Sequence, residues 1–341
     1  MTEQVVQARG VPVEEKAIEP VHGLIYGYLL DGQGGGRRLD WDGVRAWRPE
    51  DGYLWVHLDR TAPETVDWLR GEAEVDPLIC QALLAEETRP RAVVINDGVL
   101  MILRGVNQTP GAEPDELVSL RFWIGPSRMI TLRHMPMLGV RDVRVELQCA
   151  RGPKNAAELL IEIIGRIVDR IDHVVGALDD TVDALEDEVL AGRSRDIRAR
   201  LAETRRQAAR LRRFITPQRD ALAHLVNERV SWIDVRRRAQ LREIADRVTR
   251  LVEELDAASV QAIVTQDELA GRTAEQLNRN TYIFSVVAAI MLPLNVIASF
   301  FGMNVGGIPA QEHPWGFWLV VGGFVVLGLG MLILFRKLKW I

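Results

Sequence analysis

Five polar side chains and one leucine recur along an apolar stretch near the C-terminus. They are spaced three, four or seven residues apart, with Ala288 or Ala289 filling the one gap: Asn278, Thr281, Ser285, Leu292, Asn295 and Ser299. At 3.6 residues per turn this spacing places them on one face of a helix. Polar groups are costly in lipid, so this face should turn towards water or protein. A channel lined by several copies and hydrogen bonds that only join helices are both compatible with it.

The polar face is also informative for what it lacks. It contains no Asp, Glu, His or Cys. A zinc ion without its water would need nitrogen or sulfur ligands. We therefore expect a cation passing this face to keep much of its hydration shell, with amide and hydroxyl groups contacting the bound water.

Two uncharged stretches are long enough to cross a bilayer. Tyr282–Phe301 and Trp315–Phe335 each contain about 20 residues, enough for the roughly 30 Å hydrocarbon core. A buried helical hairpin in a soluble protein is the alternative. We predict two transmembrane helices, 282–301 and 315–335.

The flanking charges predict an orientation. Arg272 and Arg279 precede the first span and a basic tail follows the second, whereas Gly302–Pro314 contains no Lys or Arg. Basic residues favour the cytoplasmic side. Residues 1–20 hold no apolar run, so we expect no signal peptide, and both termini in the cytoplasm.

The connecting loop holds the only ionisable side chains between residues 282 and 335, Glu312 and His313. The pair could capture incoming cations or sense pH, since histidine titrates near neutrality. An ordinary polar loop is the alternative.

The first 152 residues are typical of a mixed α/β domain. Runs rich in β-branched and aromatic residues predict strands at Leu24–Leu30, Tyr53–Leu58, Arg91–Asn96, Leu100–Val106, Leu117–Ile124 and Met129–Arg133. Short helices are predicted at Pro63–Arg70, Pro77–Glu87 and Leu138–Cys149. Gly32–Gly36 is predicted to be a turn. No nucleophile elbow, Walker motif or metal-ligand cluster is present, so we do not expect an enzyme.

Helical periodicity begins after Gly152–Pro153. One helix should reach Gly192, a second should end near Ile215, and a third should run from about Asp234 into the membrane as far as Phe301. We therefore predict three parts: an α/β domain (1–152), a helical stalk (153–280) and a transmembrane domain (281–341). A membrane-tethered coiled coil without a pore has the same pattern.

Several charged or reactive residues have ordinary alternatives. The nine arginines within Arg193–Arg213 favour a solvated helix face or attraction of ions, and not nucleic acid. Asp180, Asp183 and Asp187 share a helix face, which suits either a regulatory cation site at a subunit contact or a solvated acidic surface. Cys80 and Cys149 are expected to pack in the core.

The tripeptide Gly302–Met303–Asn304 closes the first span, and Pro293 lies inside that span. In these features the chain resembles the CorA superfamily of metal ion transporters. The loop from Met303 to Pro309 and the segment 86–91 are similar to the ZntB-like branch of zinc transporters.

The resemblance implies a homopentameric funnel in the inner membrane, with the first spans lining the pore. Asn304 would ring a hydrated ion at the outer mouth, because amide oxygens accept hydrogen bonds from metal-bound water without holding the ion too tightly. Gly302 would permit a tight turn, and Leu292 and Met303 would narrow the path. The expected cargo is a divalent cation, zinc foremost, and no cofactor is expected. A magnesium, cobalt or nickel channel and a non-transporting scaffold remain the alternatives.

Overall fold

A computed structural model describes residues 22–107, 109, 111–113, 115–192, 196–303 and 314–337. The chain forms two compact units, Met1–Thr265 and Gln266–Ile341. In the first unit, the helices that follow residue 152 pack on the same sheet as those before it. The three-part division made from the sequence stays a prediction.

The first unit is built on one seven-stranded sheet. Its strands are β1 (Leu24–Leu30), β2 (Gly36–Leu39), β3 (Leu54–Asp59), β4 (Arg91–Ile95), β5 (Gly98–Val106), β6 (Leu117–Ile124) and β7 (Arg128–Arg133). The order across the sheet is β2-β1-β3-β7-β6-β5-β4. Only β3 and β7 run parallel, and every other neighbouring pair is antiparallel.

The described residues contain eight α-helices. They are α1 (Trp41–Ala46), α2 (Pro63–Gly71), α3 (Pro77–Leu84), α4 (Leu138–Gln148), α5 (Ala156–Leu190), α6 (Ile197–Asn227), α7 (Val235–Phe301) and α8 (Gly316–Lys337). Side-chain caps mark the starts of two long helices, α5 and α7. Asn155 accepts a hydrogen bond from the amide of Glu158 at 3.0 Å, and Asp234 accepts one from the amide of Arg237 at 2.7 Å.

Both faces of the sheet are covered, as the alternation along β3 shows. Leu54, Val56 and Leu58 belong to the apolar core that includes residues of α1, α2 and α3. Trp55 and His57 point to the other face, where their rings contact Tyr26 and Arg144 of α4 lies over the ring of Tyr26. The strand is buried on both sides, so its sequence is apolar almost throughout.

The helices α4, α5 and α6 form the second layer. Every third or fourth residue of α5 is buried, from Leu159 to Val189. Ion pairs join α4 to α5, with Arg166 donating to Glu146 and Arg170 to Asp142. The apolar stripe of α5 thus supplies the burial, and the charged pairs border it.

The six predicted strands are present, with ends shifted by no more than two residues. Two short elements, β2 and α1, were not predicted. The helix α3 ends at Leu84, three residues before the predicted end, because Ala85 is extended with φ −52° and ψ 138°. The helix α6 continues past Ile215 to Asn227 and includes Pro217.

The structure also describes the two cysteines and most of the basic run. Cys80 is buried as predicted, but Cys149 follows α4 and is exposed, so its assignment to the core is wrong. From Arg198 onwards the basic run is a charged surface of α6: Arg200, Arg206 and Arg212 pair with Glu188, Glu203 and Asp256.

The second unit contains the last part of α7 and the whole of α8. Both helices are long and apolar enough to span a membrane, with mean hydropathies of 2.2 and 2.5 over their most apolar windows. Neither window is buried within the chain, which suits surfaces that meet lipid or other subunits. A groove of about 370 Å³ lies between them, where Gly316 and Gly323 of α8 oppose Ile297 and Phe301.

Candidate ion pathway

The structure places the predicted polar face on a single helix. Asn278, Thr281, Ser285, Leu292, Asn295 and Ser299 all lie on α7, and all six are exposed. At 3.6 residues per turn their side chains fall within an arc of roughly 100°. One copy of the chain therefore presents this face without covering it.

The serine hydroxyls of the face are tied back to their own helix. Ser285 donates to the carbonyl of Thr281 at 2.8 Å, and Ser299 donates to the carbonyl of Asn295 at 2.9 Å. Each hydroxyl proton is then used within the helix, whereas the lone pairs of the oxygen remain. The serines thus present hydrogen-bond acceptors, which suit the hydrogens of water bound to a cation.

Pro293 adds one further acceptor near the gap in the face. Proline has no backbone N–H, so the carbonyl of Ala289 lacks the helical donor that residue 293 would supply. Leu292, next to it, is 68% exposed and is the one large apolar side chain among the six residues of the face. A symmetric assembly would surround an apolar ring of Leu292 with oxygen acceptors above and below.

The end of α7 bears on the predicted role of Gly302. The amide of Gly302 donates to the carbonyls of Ala298 and Ser299 at 3.0 and 3.2 Å, which continues the helical pattern. A Cβ added there would lie 3.5 Å from the nearest atom, an ordinary contact. Among the residues that the structure describes, none makes glycine necessary at this position, and the predicted tight turn at Gly302 stays a prediction. Met303 follows and is 48% exposed.

Three of the predicted residues lie outside the described part of the chain. They are Asn304 and the loop pair Glu312 and His313. Their assignments stay predictions.

Comparison with known families decides which family the chain represents. The sequence model of a family described as "CorA-like Mg2+ transporter protein" matches residues 50–337. The chain belongs to the CorA family. It is therefore a membrane transporter of the CorA type and not an enzyme, as the resemblance predicted.

Individual relatives of this CorA-family chain cover nearly its whole length. The divalent cation transporter CmaX of Pseudomonas aeruginosa is 37% identical over 94% of this chain and 97% of its own. The zinc transport protein ZntB of Yersinia enterocolitica is 33% identical over 96% of this chain and 99% of its own.

A solved structure has the same fold. The full-length CmaX protein superposes with a TM-score of 0.81 and 35% identity, covering 94% of this chain and 98% of that one. The predicted class, an α+β domain followed by long helices and two C-terminal apolar helices, is confirmed.

The exposed face of α7 extends further towards the N-terminus than the six residues predicted from the sequence. Ala274, Gly271 and Asp267 continue the same three- and four-residue spacing before Asn278, and all three are exposed. Asp267 places a carboxylate in line with the polar face of this CorA-family helix. Continuing the spacing about three turns towards the N-terminus would have identified it from the sequence.

The proposed regulatory site remains incomplete in one chain. Asp180, Asp183 and Asp187 are exposed on α5, and Asp183 accepts a hydrogen bond from Gln261 of α7 at 2.8 Å. Among the described residues, no three His, Cys, Asp or Glu side chains converge to hold a metal ion. The site stays a prediction that requires a second subunit.

Proposed function

We propose that this chain carries divalent metal cations, zinc foremost, through the centre of a homopentamer in the inner membrane. The observation that supports this most is the exposed, acceptor-rich face of α7. An anchor helix needs no such face, because polar groups in lipid are costly. Around a symmetry axis, the same residues would line a polar path that only the ring of Leu292 and the neighbouring alanines interrupt.

In this proposal the ion travels with its inner water shell. The serine oxygens and the amides of Asn278 and Asn295 accept hydrogen bonds from that water, and no side chain of the face replaces the water. Asn304 would hold the hydrated ion at one end of the path, and Asp267 would attract it at the other. Leu292 would form the narrow apolar ring between them.

The choice of zinc rests on relatives, since the face itself contacts water and not the bare ion. ZntB proteins are named for zinc transport, and CmaX is named for divalent cations in general. The description of the matching family names Mg²⁺. Magnesium, with cobalt or nickel, is therefore the second candidate cargo for the same pore.

Uptake by liposomes containing the purified protein tests the proposal. We expect zinc to enter faster than into protein-free liposomes, and unlabelled zinc to compete better than magnesium. Native mass measurement of the detergent-solubilised protein should give five chains. Absence of flux for every divalent cation tested, from a protein that assembles, would leave the scaffold alternative.

A further inference from the structure

A cavity of about 710 Å³ lies in the first unit, where the loop between α6 and α7 meets the turn between β4 and β5. Its polar lining consists of Arg229, Arg238, Arg242, Asn227, Ser231 and Asp97. Three of these are cations and one is an anion. The volume is within the range of small-molecule sites, about 300–1,000 Å³.

The one acidic side chain of the cavity is already engaged. The carboxylate of Asp97 accepts hydrogen bonds from the amide of Ser231 at 2.7 Å and from its hydroxyl. The carbonyl of Asp97 accepts one from the indole of Trp232 at 2.9 Å. Asn96 and Asp97 have φ of 46° and 65°, as a tight hairpin turn requires. The turn therefore fixes the loop, and the single charge of Asp97 offsets at most one of the three arginines.

The three arginines differ in how they are held. Arg238 donates to the carbonyls of Val226 and Glu228 at the end of α6, so its guanidinium is fixed in the wall. Arg229 and Arg242 are exposed, and neither forms an ion pair with the residues that the structure describes. All three line the same cavity at the N-terminal end of α7. Like charges gathered at this end favour an anion between them.

We propose that this cavity binds a small molecule through a phosphate group. Guanidinium groups match phosphate oxygens with two parallel hydrogen bonds, and a phosphate dianion offsets more of the cavity's charge than a carboxylate does. The phosphate lies between Arg229 and Arg242, with Arg238 fixed behind it. The cavity is larger than one inorganic ion, so the ligand is a phosphate ester or a polyphosphate.

Calorimetric titration of the full-length protein in detergent tests this site. The probes are inorganic tripolyphosphate and ATP, both in chelator and at constant ionic strength. Removing two charge-assisted contacts in the R229Q/R242Q double variant should weaken binding by about tenfold or more. Arg236→Gln is the control, because Arg236 is an exposed arginine in the first turn of α7 that does not line the cavity.

Comparing the affinities of the two probes shows whether the site recognises the phosphate chain alone or also a nucleoside. Equal affinities would assign recognition to the phosphate chain, and tighter binding of ATP would add a nucleoside contact. Either result supports the site if R229Q/R242Q weakens binding and Arg236→Gln does not. Equal weakening by both variants, or no saturable binding by wild type, would overturn it.

Discussion

Among single residues, Asn304 carries the most specific part of the proposed function. It ends the tripeptide that first indicated the family, and it follows the last residue of α7 by three positions in the sequence. Its amide oxygen can accept hydrogen bonds from metal-bound water without the tight binding that a carboxylate would give.

Asn304→Ala should therefore reduce zinc uptake to the level of protein-free liposomes, because the mouth loses its acceptor ring. The matched control is Asn280→Ala, which removes an exposed amide of α7 that lies off the polar face. We expect the control to transport normally and both variants to assemble alike. Wild-type uptake by assembled Asn304→Ala would exclude this role.

Leu292 makes a second prediction at this scale. If its ring excludes water, Leu292→Ser should wet the path and raise zinc leak several-fold at equal protein levels. Leu294→Ser makes the same chemical change two residues away, off the face, where the side chain is half-buried. Unchanged or lower leak in Leu292→Ser would contradict a hydrophobic constriction.

The placement of the pathway residues could be predicted because helical periodicity relates spacing to direction. Asn278 and Ser299 share a face on any regular helix that contains both. The ties from Ser285 and Ser299 to the preceding turn are local and follow the same logic. The cavity near Asp97 could not be predicted, since it depends on contacts between residues more than 100 positions apart.

Among the elements, the contact between the sheet and α4 contains an unusual polar cluster. Thr131 accepts a hydrogen bond from the indole of Trp55 at 3.0 Å and donates to the carbonyl of Val56 at 3.1 Å. Its oxygen also lies 2.8 Å from Nδ1 of His57, which must then donate. The neutral imidazole is thus held with its proton on Nδ1, in full burial.

Burial holds the pKa of His57 well below its usual value, and the charges of Arg133 and Arg144 lower it further. Protonation is therefore easier in the unfolded chain than in the folded one. The stability that the neutral His57 contributes should be fully present above the pKa of this histidine in the unfolded chain, near 6.5. It should be lost as the pH falls below that value. Between pH 7 and 5 the free energy of unfolding should therefore decrease, because the unfolded chain takes up a proton at this histidine more readily than the folded chain does.

Denaturant unfolding of the detergent-solubilised protein across this pH range measures the effect. His57→Gln should lower stability at pH 7 but flatten its pH dependence. His134→Gln changes an exposed histidine and should keep the wild-type slope. A slope in His57→Gln equal to that of wild type would assign the acid sensitivity to other groups.

The sequence failed to predict β2 and the second half of α6 for physical reasons. The strand β2 is a short edge strand whose two arginines are exposed, so its sequence lacks the apolar pattern of a strand. Proline normally disfavours a helix interior, yet Pro217 lies inside α6. Ala221, Leu222 and Leu225 are buried beyond it, and that burial offsets the lost hydrogen bond.

At the scale of the whole molecule, the charge distribution predicts that the first unit and both termini lie in the cytoplasm. Cys149 is exposed in that unit and Cys80 is buried, so one native thiol should report its side of the membrane. Two spans return the chain to the side from which it entered.

A membrane-impermeant maleimide should therefore label Cys149 in inside-out vesicles and not in intact spheroplasts. Cys149→Ser identifies the labelled site. Glu312→Cys in that background should show the opposite pattern, since the loop is predicted to face outward. Labelling of Cys149 in intact spheroplasts would show that the orientation is the opposite of the predicted one.

The internal hydrogen bonds of Ser285 and Ser299 also affect how the protein is made. A newly synthesised subunit enters the bilayer before its partners have joined it, and unsatisfied polar groups would then oppose insertion. Hydroxyls already bonded to their own helix reduce that cost. A single copy should therefore be stable in lipid, and in the proposed pentamer the same oxygens would line a shared aqueous passage.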